Sequence, residues 1–348
     1  MSTKISSGPG PEGFEVVDLK GWLPVDAVID DGRPGLNWMD MRGVSLCEPF
    51  FQQTVERLRS ELPSRAERFT EFDALVQLEK ISDSLRPSGF IFHSSRCGST
   101  LVANACKALY DSIVISEACA IDKLAGRFIT DAPEEGVKEL LYSIFLRGTV
   151  NALGQRRTGD ERYFFVKFSC CTVVQLAHIK RIWPNVPWVF LYRDPIETIV
   201  SNLTSIPEWL EVRSDARMLA AIVADSEAEI KSMSREELCA RAIGKFYSIA
   251  SQSADDNSLL LNYNQLTLPT LLSVMKFFNL TPLDAEIDAV ARTSQVYSKD
   301  LSLERTFVAD ADAKRLAASP LVHAMAEQWA GESYQLLEQR RLISLPLQ

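Results

Sequence analysis

A run of small polar residues surrounds a single arginine and carries the first chemistry that this sequence suggests. The run consists of Ser94, Ser95, Arg96, Cys97, Gly98, Ser99 and Thr100. An apolar stretch from Phe90 to Phe92 precedes it and predicts a buried strand, and the apolar residues that follow recur at helical spacing. A strand, a small loop and a helix start together present backbone N–H groups and the positive helix end to an anion. Gly98 lets the backbone approach that anion closely, so the sequence predicts a phosphate-binding loop.

A second candidate site lies about 100 residues further along, where another apolar stretch ends at Arg193. Asp194 is a good N-cap residue, Pro195 suits the first helical position, and Glu197 completes a capping box. The apolar residues of this predicted helix share one face, which leaves Ser201 on the other side. We therefore expect Arg193 and Ser201 to face the same crevice.

The elements that must position these residues alternate between strand and helix from Gly89 onward. This alternation predicts an α/β fold with three layers, a parallel sheet flanked by helices. The predicted strands are Phe90–His93, Ser112–Ile115, Tyr163–Phe168, Trp188–Tyr192 and Leu259–Leu261. The predicted helices are 99–110, 135–150, 172–183, 195–204, 217–229 and 235–253, then 266–278, 283–293 and 311–341. Ligands of such sheets bind beyond the carboxyl ends of the strands, which is where both candidate sites fall.

The chain before Gly89 predicts two further regions. Residues 1–12 are rich in Gly, Pro and Ser and predict a disordered N-terminus. Residues 13–88 alternate apolar clusters with turn signals and contain two predicted helices, 49–62 and 71–85. We expect this region to be an N-terminal extension packed on the α/β domain, which spans 89–348. A substrate lid and a dimer contact are both open as roles for the extension.

The composition limits the class of protein. The chain has 348 residues, of which 46% are hydrophobic, and can bury a sizeable core. A net charge of −9 argues against general nucleic-acid binding, because phosphate backbones require a basic surface. Seven cysteines without a Cys-x-x-Cys pair suggest neither a disulfide framework nor a zinc site, and three histidines argue against metal chemistry. No apolar window approaches the roughly 20 residues of a membrane span, and the N-terminus lacks a signal-peptide segment, so we expect a cytoplasmic protein.

The loop around Arg96 differs from the ATP- and GTP-binding loop, because Ser99 stands where that pattern has its lysine and His93 where it has its first glycine. It resembles the 5′-phosphosulfate loop of the sulfotransferases, although Ser95 replaces the usual proline and Cys97 the usual serine. The pair Arg193 and Ser201 is similar to the family's 3′-phosphate motif, with the same spacing of eight.

The resemblance covers residues 89 to about 300 and implies a P-loop NTPase-like sulfotransferase fold. It also implies 3′-phosphoadenylyl sulfate (PAPS) as the sulfuryl donor, PAP as the product, and no metal. The implied donor-binding residues are Ser95, Arg96, Cys97, Gly98, Ser99, Thr100, Arg193, Ser201, Tyr263 and Lys299. Tyr263 resembles a residue near the adenine. Lys299 stands at the place of a late phosphate-contacting loop, where a solvated surface lysine is equally compatible with the sequence.

The catalytic residues that the resemblance implies are Arg96, Lys167 and a general base. Arg96 and Lys167 would stabilise the charge of the leaving phosphate. Ser169 stands where many cytosolic members have a histidine base, so the base must lie elsewhere. Glu117 resembles the carboxylate base of other members, and partial desolvation can raise the pKa of such a group. A capping or ion-pairing role for Glu117 stays open, with Asp122 as the alternative base.

The sequence does not identify the acceptor of the sulfuryl group. A small molecule, a lipid, a sugar or a peptide would each provide a hydroxyl or an amine. Five aromatic residues could line an acceptor pocket or belong to the core: Trp22, Trp38, Phe50, Phe51 and Trp209. His93, directly before the loop, can face either the core or the nucleotide. The alternatives to a sulfotransferase are a magnesium-dependent P-loop kinase or NTPase and a catalytically silent nucleotide-binding protein. The oligomeric state stays open.

Overall fold

The computed structural model describes residues 18–76, 83–130, 137–223, 226–295, 298–299 and 311–344, without the side chains at 127–130, 137–138, 212–215 and 342–344. The predicted disorder of residues 1–12 lies outside these ranges, as does the stretch 77–82 of the predicted helix 71–85. Within the described ranges, no helix combines the length and the apolar character needed to cross a membrane.

The N-terminal region forms an antiparallel sheet that was not predicted. Its strands are β1 (Trp22–Asp30), β2 (Arg33–Asp40) and β3 (Glu67–Glu71), and they pair in this order. Pro24 and Asp26 disfavour a strand, and the register of β1 shifts between them, which indicates a bulge that accommodates both. The helix predicted at 49–62 is confirmed as α1 (Phe51–Glu61). The helix predicted from 71 is wrong at its start, because Glu71 pairs with Gly35 in the sheet.

The central sheet confirms the predicted α/β fold class. Its strands are β4 (Gly89–His93), β5 (Ser112–Ser116), β6 (Tyr163–Lys167), β7 (Trp188–Tyr192) and β8 (Ser258–Asn262). All pairs are parallel, in the order β5–β6–β4–β7–β8. Each strand agrees with its prediction to within one residue at either end. The carboxyl ends of β4 and β7, which precede the two candidate anion sites, are therefore adjacent.

Helices cover both faces of this sheet. They are α2 (Ser99–Lys107), α3 (Cys119–Thr130), α4 (Val137–Leu153), α5 (Leu176–Ile182), α6 (Pro195–Thr204), α7 (Val212–Val223), α8 (Glu227–Ser232), α9 (Arg235–Ser253), α10 (Leu268–Phe277), α11 (Asp284–Gln295), α12 (Ala311–Ala317), α13 (Pro320–Ala326) and α14 (Glu332–Ser344). A π-helical turn, Glu327–Gly331, joins the last two. Short 3₁₀ turns are Cys170–Gln175, Glu208–Leu210 and Tyr263–Gln265.

The helices differ from the predictions in several further places. The helix α3 was not predicted, and the predicted helix 217–229 is two helices, α7 and α8. The predicted helix 311–341 is broken because Ser319 accepts a hydrogen bond from the Val322 N–H at 3.2 Å and starts α13, with Pro320 in its first turn.

The core lies on both sides of the central sheet because its strands are apolar on both faces. On β4, Phe90 and Phe92 pack into one cluster and Ile91 into another. The cluster that contains Phe90 also contains Leu23 and Trp38 of the N-terminal sheet. The N-terminal sheet therefore shares a continuous hydrophobic core with the α/β part, while the boundary at residue 88 stays a prediction.

Candidate active site

The turn between β4 and α2 has an unusual backbone. Ser95, Arg96 and Gly98 have φ angles of 73°, 50° and 81°, all in the left-handed region. For the two non-glycine residues this conformation costs of order 1 kcal/mol each. Hydrogen bonds hold the turn, because His93 Nδ1 accepts from the Ser95 N–H at 3.0 Å and Ser95 Oγ donates to Asn202 Oδ1 at 2.9 Å. Both donors of Ser95 are thus engaged within the protein.

Gly98 and Cys97 fit this turn for specific steric and chemical reasons. A Cβ atom on Gly98 would lie 2.4 Å from Leu266 Cδ1, so any other residue would have to displace the Leu266 side chain as well as adopt a left-handed φ. Cys97 is fully buried, and its thiol donates to the Leu191 carbonyl at 3.1 Å. Burial raises the pKa of the Cys97 thiol, which makes it a structural donor rather than a nucleophile.

Arg193 is buried at the end of β7 in a fixed orientation. Its Nε–H donates to Glu197 Oε2 at 2.6 Å, and its guanidinium lies 4.0 Å from the centre of the Tyr263 ring. Arg315 Nε contacts the other oxygen of Glu197 at 2.8 Å. Asp194 caps α6 as predicted, accepting from the Glu197 N–H at 3.2 Å.

The predicted capping box at α6 is wrong in its second half. Glu197 directs its carboxylate to Arg193 and Arg315 instead of to the backbone of Asp194. Two charge-assisted bonds in a buried site are stronger than one bond to a backbone N–H. Glu197 and Arg315 are site residues that the sequence analysis missed. The sequence offers no clear signal for the Arg193–Glu197 pair, because Arg193 precedes the N-cap of α6 and is not on the helix that carries Glu197.

Glu117 lies beside a lysine and a histidine at the adjoining strand ends. Lys167 Nζ donates to Glu117 Oε1, and His93 Nε2 lies 3.3 Å from the same oxygen. Lys167 is buried, with 1% of its side chain exposed, at the end of β6. Glu117 has a left-handed φ of 53°, and its N–H donates to the Lys167 carbonyl at 2.7 Å. The predicted catalytic pair is thus brought into direct contact.

The electrostatics of Glu117 differ from expectation. Burial raises the pKa of Glu117, but the charge of Lys167 and the His93 contact outweigh burial and hold that pKa well below its usual range. The expectation of a raised pKa is therefore wrong for Glu117 in this arrangement. Burial and the negative charge of Glu117 raise the pKa of the alternative base, Asp122, to about 7. Asp122 accepts from Thr172 Oγ1 at 3.4 Å and is not among the residues that line the cavity.

The predicted site residues surround one cavity of about 760 Å³. Its wall contains Ser95, Arg96, Cys97, Gly98, Ser99, Thr100, Glu117, Arg193, Ser201, Tyr263 and Lys299. Lys167 is covered and reaches the cavity through Glu117. Lys299 is held nearby because Asn104 Nδ2 donates to the Ser298 carbonyl at 2.8 Å. Burial, with the charges of Arg96 and Lys167, lowers the pKa of Lys299 to about 8.

The aromatic residues divide between core and cavity. Trp22, Trp38 and Phe51 are buried in the core, whereas Phe50 and Trp209 line the cavity. The ring of Phe50 lies 5.2 Å from Lys167 Nζ and 5.6 Å from Lys299 Nζ. Phe50 therefore stands next to the Lys167–Glu117 pair, although it comes from the N-terminal region.

Comparisons with known proteins give structural similarity only. No protein-family model and no curated protein matches the chain. A sulfotransferase from Alicyclobacillus acidocaldarius matches with 13% identity and a TM-score of 0.42, covering 74% of this chain and 96% of that chain. A sulfotransferase domain from the Synechococcus PCC 7002 olefin synthase matches with 15% identity and a TM-score of 0.37, covering 76% and 97%. A mouse sulfotransferase complexed with PAP matches with 12% identity and a TM-score of 0.36, covering 76% and 93%. These solved structures are sulfotransferases, the family that the two sequence motifs resemble.

Proposed function

We propose that this protein is a PAPS-dependent sulfotransferase that moves a sulfuryl group to a hydroxyl or amine by in-line displacement. The main support for the proposal is that both predicted anion-binding motifs line the same cavity. The loop around Arg96 follows β4, and Arg193 and Ser201 follow the adjacent β7. A nucleotide with both a 5′-phosphosulfate and a 3′-phosphate requires two such sites on one wall.

The residues of the cavity fit this donor. Gly98, Ser99 and Thr100 would hold the 5′-phosphosulfate at the start of α2, where the helix end attracts anions. Arg193 and Ser201 would hold the 3′-phosphate, with the guanidinium plane already fixed by Glu197 and Tyr263. The volume of about 760 Å³ lies within the range of ligand sites of this kind, about 300 to 1,000 Å³.

Glu117 is the proposed base, and Lys167 links it to the leaving group. The acceptor oxygen forms a bond to sulfur as the bond from sulfur to the bridging phosphate oxygen breaks, and Glu117 takes the acceptor proton. Arg96 and Lys167 stabilise the negative charge that develops on the departing phosphate. An anionic donor beside Lys167 would weaken its pairing with Glu117 and raise the pKa of that carboxylate. Donor binding would thereby prepare the base.

Calorimetric titration with PAP, ATP and 5′-AMP in the absence of magnesium tests the donor class. We expect micromolar binding of PAP and weak or absent binding of ATP, because ATP lacks a 3′-phosphate. Binding of ATP or GTP that requires magnesium, without preference for PAP, would overturn the proposal in favour of a kinase or NTPase.

Replacing Arg193 tests the 3′-phosphate site separately. We expect Arg193→Ala to weaken PAP binding by about 10-fold or more while 5′-AMP binding changes little, because only PAP has the phosphate that Arg193 would bind. Arg181→Ala, at an exposed arginine paired with Glu139, is the matched control. An equal loss for PAP and 5′-AMP would remove Arg193 from the 3′-phosphate site.

A further inference from the structure

His93 is a buried histidine that contacts both the anion loop and the proposed base. It is the last residue of β4, and 6% of its surface is exposed. Its Nδ1 accepts from the Ser95 N–H at 3.0 Å. Its Nε2 lies 3.3 Å from Glu117 Oε1, just beyond the usual range of about 2.7 to 3.2 Å for N–H···O hydrogen bonds, and makes no hydrogen bond within the described residues. The two ring nitrogens therefore face two different parts of the site.

The Ser95 contact assigns the tautomer of His93. An N–H donor requires a lone pair on Nδ1, so the proton of the neutral ring is on Nε2, toward Glu117. Burial and the positive charges of Lys167 and Lys299 lower the pKa of His93 to about 4, against the opposing effect of Glu117. The ring is thus neutral at physiological pH, and a small shift would let its Nε2–H donate to the carboxylate without adding a charge.

Glu117 has Lys167 and His93 on one side of its carboxylate. Lys167 Nζ and His93 Nε2 approach the same oxygen, Oε1. The backbone of Glu117 is also fixed, because its φ is left-handed and its N–H donates to the Lys167 carbonyl. A carboxylate held at one oxygen can direct the other toward an acceptor in the cavity.

We propose that His93 is a positioning residue, whose Nε2–H orients the carboxylate of Glu117 and whose Nδ1 holds Ser95 in its left-handed conformation. The role of His93 in sulfuryl transfer rests on the proposed function. The bond to Ser95 also makes the neutral ring necessary, since a protonated ring has no lone pair on Nδ1. Loop geometry and base orientation are then coupled through one side chain.

The tautomer of His93 can be measured without any substrate. The chain has three histidines, so long-range ¹H–¹⁵N correlation spectra are simple, and the spectrum of a His93 variant assigns the residue. We expect the Nε2–H tautomer, unchanged between pH 5 and pH 9, and a shift of the Nε2 resonance in Glu117→Gln. The proposal would be overturned by the Nδ1–H tautomer or by titration of the ring near pH 6.5. It would also be overturned if the Nε2 chemical shift were the same in the wild type and in Glu117→Gln.

Two substitutions separate the functions of the two nitrogens. Asn can replace the Nδ1 acceptor but is too short to reach Glu117, whereas the amide of Gln can replace the Nε2 donor. We expect His93→Asn to lower kcat by about 10- to 100-fold with PAP affinity nearly unchanged. We expect His93→Gln to keep kcat within about 5-fold of the wild type and to weaken PAP binding by about 5-fold, the effect of one hydrogen bond.

Equal losses of kcat and PAP affinity in both variants would reduce His93 to a packing residue and overturn the proposal. Calorimetry of the wild-type protein with PAP separates this outcome from failure of the proposed function. If the wild type does not bind PAP, the sulfotransferase proposal fails, while the spectra still decide whether His93 Nε2–H faces Glu117.

Discussion

Lys167 and Glu117 show how one contact changes what a carboxylate can do. Burial alone would favour the protonated acid, but the buried ammonium group of Lys167 keeps Glu117 ionised. A base must be ionised before it can accept a proton, so the pair keeps Glu117 in the required form. The pKa of Glu117 then depends on whether Lys167 remains paired with it or pairs with an anionic ligand.

Replacing Glu117 by Gln removes the proposed base with little change in shape. We expect turnover to fall by about 100-fold or more while PAP affinity changes little, because the group acts on the acceptor proton. Steady-state kinetics and calorimetry measure the two effects. Asp122→Asn is the comparison, since Asp122 is the alternative base and is not among the residues that line the cavity. Full turnover in Glu117→Gln would move the base to Asp122 or to the acceptor itself.

The raised pKa of Asp122 predicts that the free energy of unfolding depends on pH. Because the pKa of Asp122 in the folded protein is about 7, against an ordinary value of 3.8, the folded state binds more protons than the unfolded state between these values. Stability from this group is therefore lost as pH rises toward and through 7. We expect the free energy of unfolding of Asp122→Asn, relative to wild type, to increase by about 1 to 3 kcal/mol between pH 5 and pH 8. Urea unfolding at both pH values measures this, with an exposed Asp256→Asn variant as control. A constant difference would contradict the raised pKa.

The strands, and the turn–helix connections that follow β4 and β7, could be predicted at the element scale because their signals are local. Phe90–Phe92 and Val189–Tyr192 are uninterrupted apolar runs that end at small or charged residues. The N-terminal sheet could not be predicted, because Pro24 and Asp26 in β1 disfavour a strand and only a bulge accommodates them. The Lys167–Glu117 contact was also out of reach, since it depends on the pairing of β5 with β6.

Replacing Gly98 tests whether the turn between β4 and α2 requires its observed backbone conformation. We expect Gly98→Ala to weaken PAP binding by about 10-fold or more, because the new Cβ would meet Leu266 at a left-handed φ. Gly126→Ala in α3 is the control, as a Cβ there meets nothing within 4 Å. We expect that variant to bind PAP normally. Unchanged binding in Gly98→Ala would show that the loop tolerates another conformation.

At the scale of the whole molecule, the N-terminal region contributes to the cavity. Lys107 Nζ, at the end of α2, donates to the Glu48 carbonyl, and the Glu48 side chain accepts from Thr54 Oγ1 at 2.6 Å. These contacts hold the segment that carries Phe50 against the site. The cavity is therefore built from the N-terminal region together with the α/β part. We infer that the N-terminal region helps to select the acceptor.

Phe50 and Phe51 are adjacent residues of one type with different surroundings, which makes them a matched pair. Phe50 lies on the cavity wall beside Lys167, whereas Phe51 is 3% exposed in the core. We expect Phe50→Ala to change the acceptor KM, or the preference within a panel of alcohols, phenols and amines, while PAP affinity stays unchanged. Phe51→Ala should instead lower the stability by about 3 to 5 kcal/mol without changing acceptor preference in the protein that remains folded. Kinetics with the panel, together with thermal unfolding, distinguish the two effects. If Phe50→Ala left every acceptor KM unaltered, the N-terminal region would support the fold without contacting the acceptor.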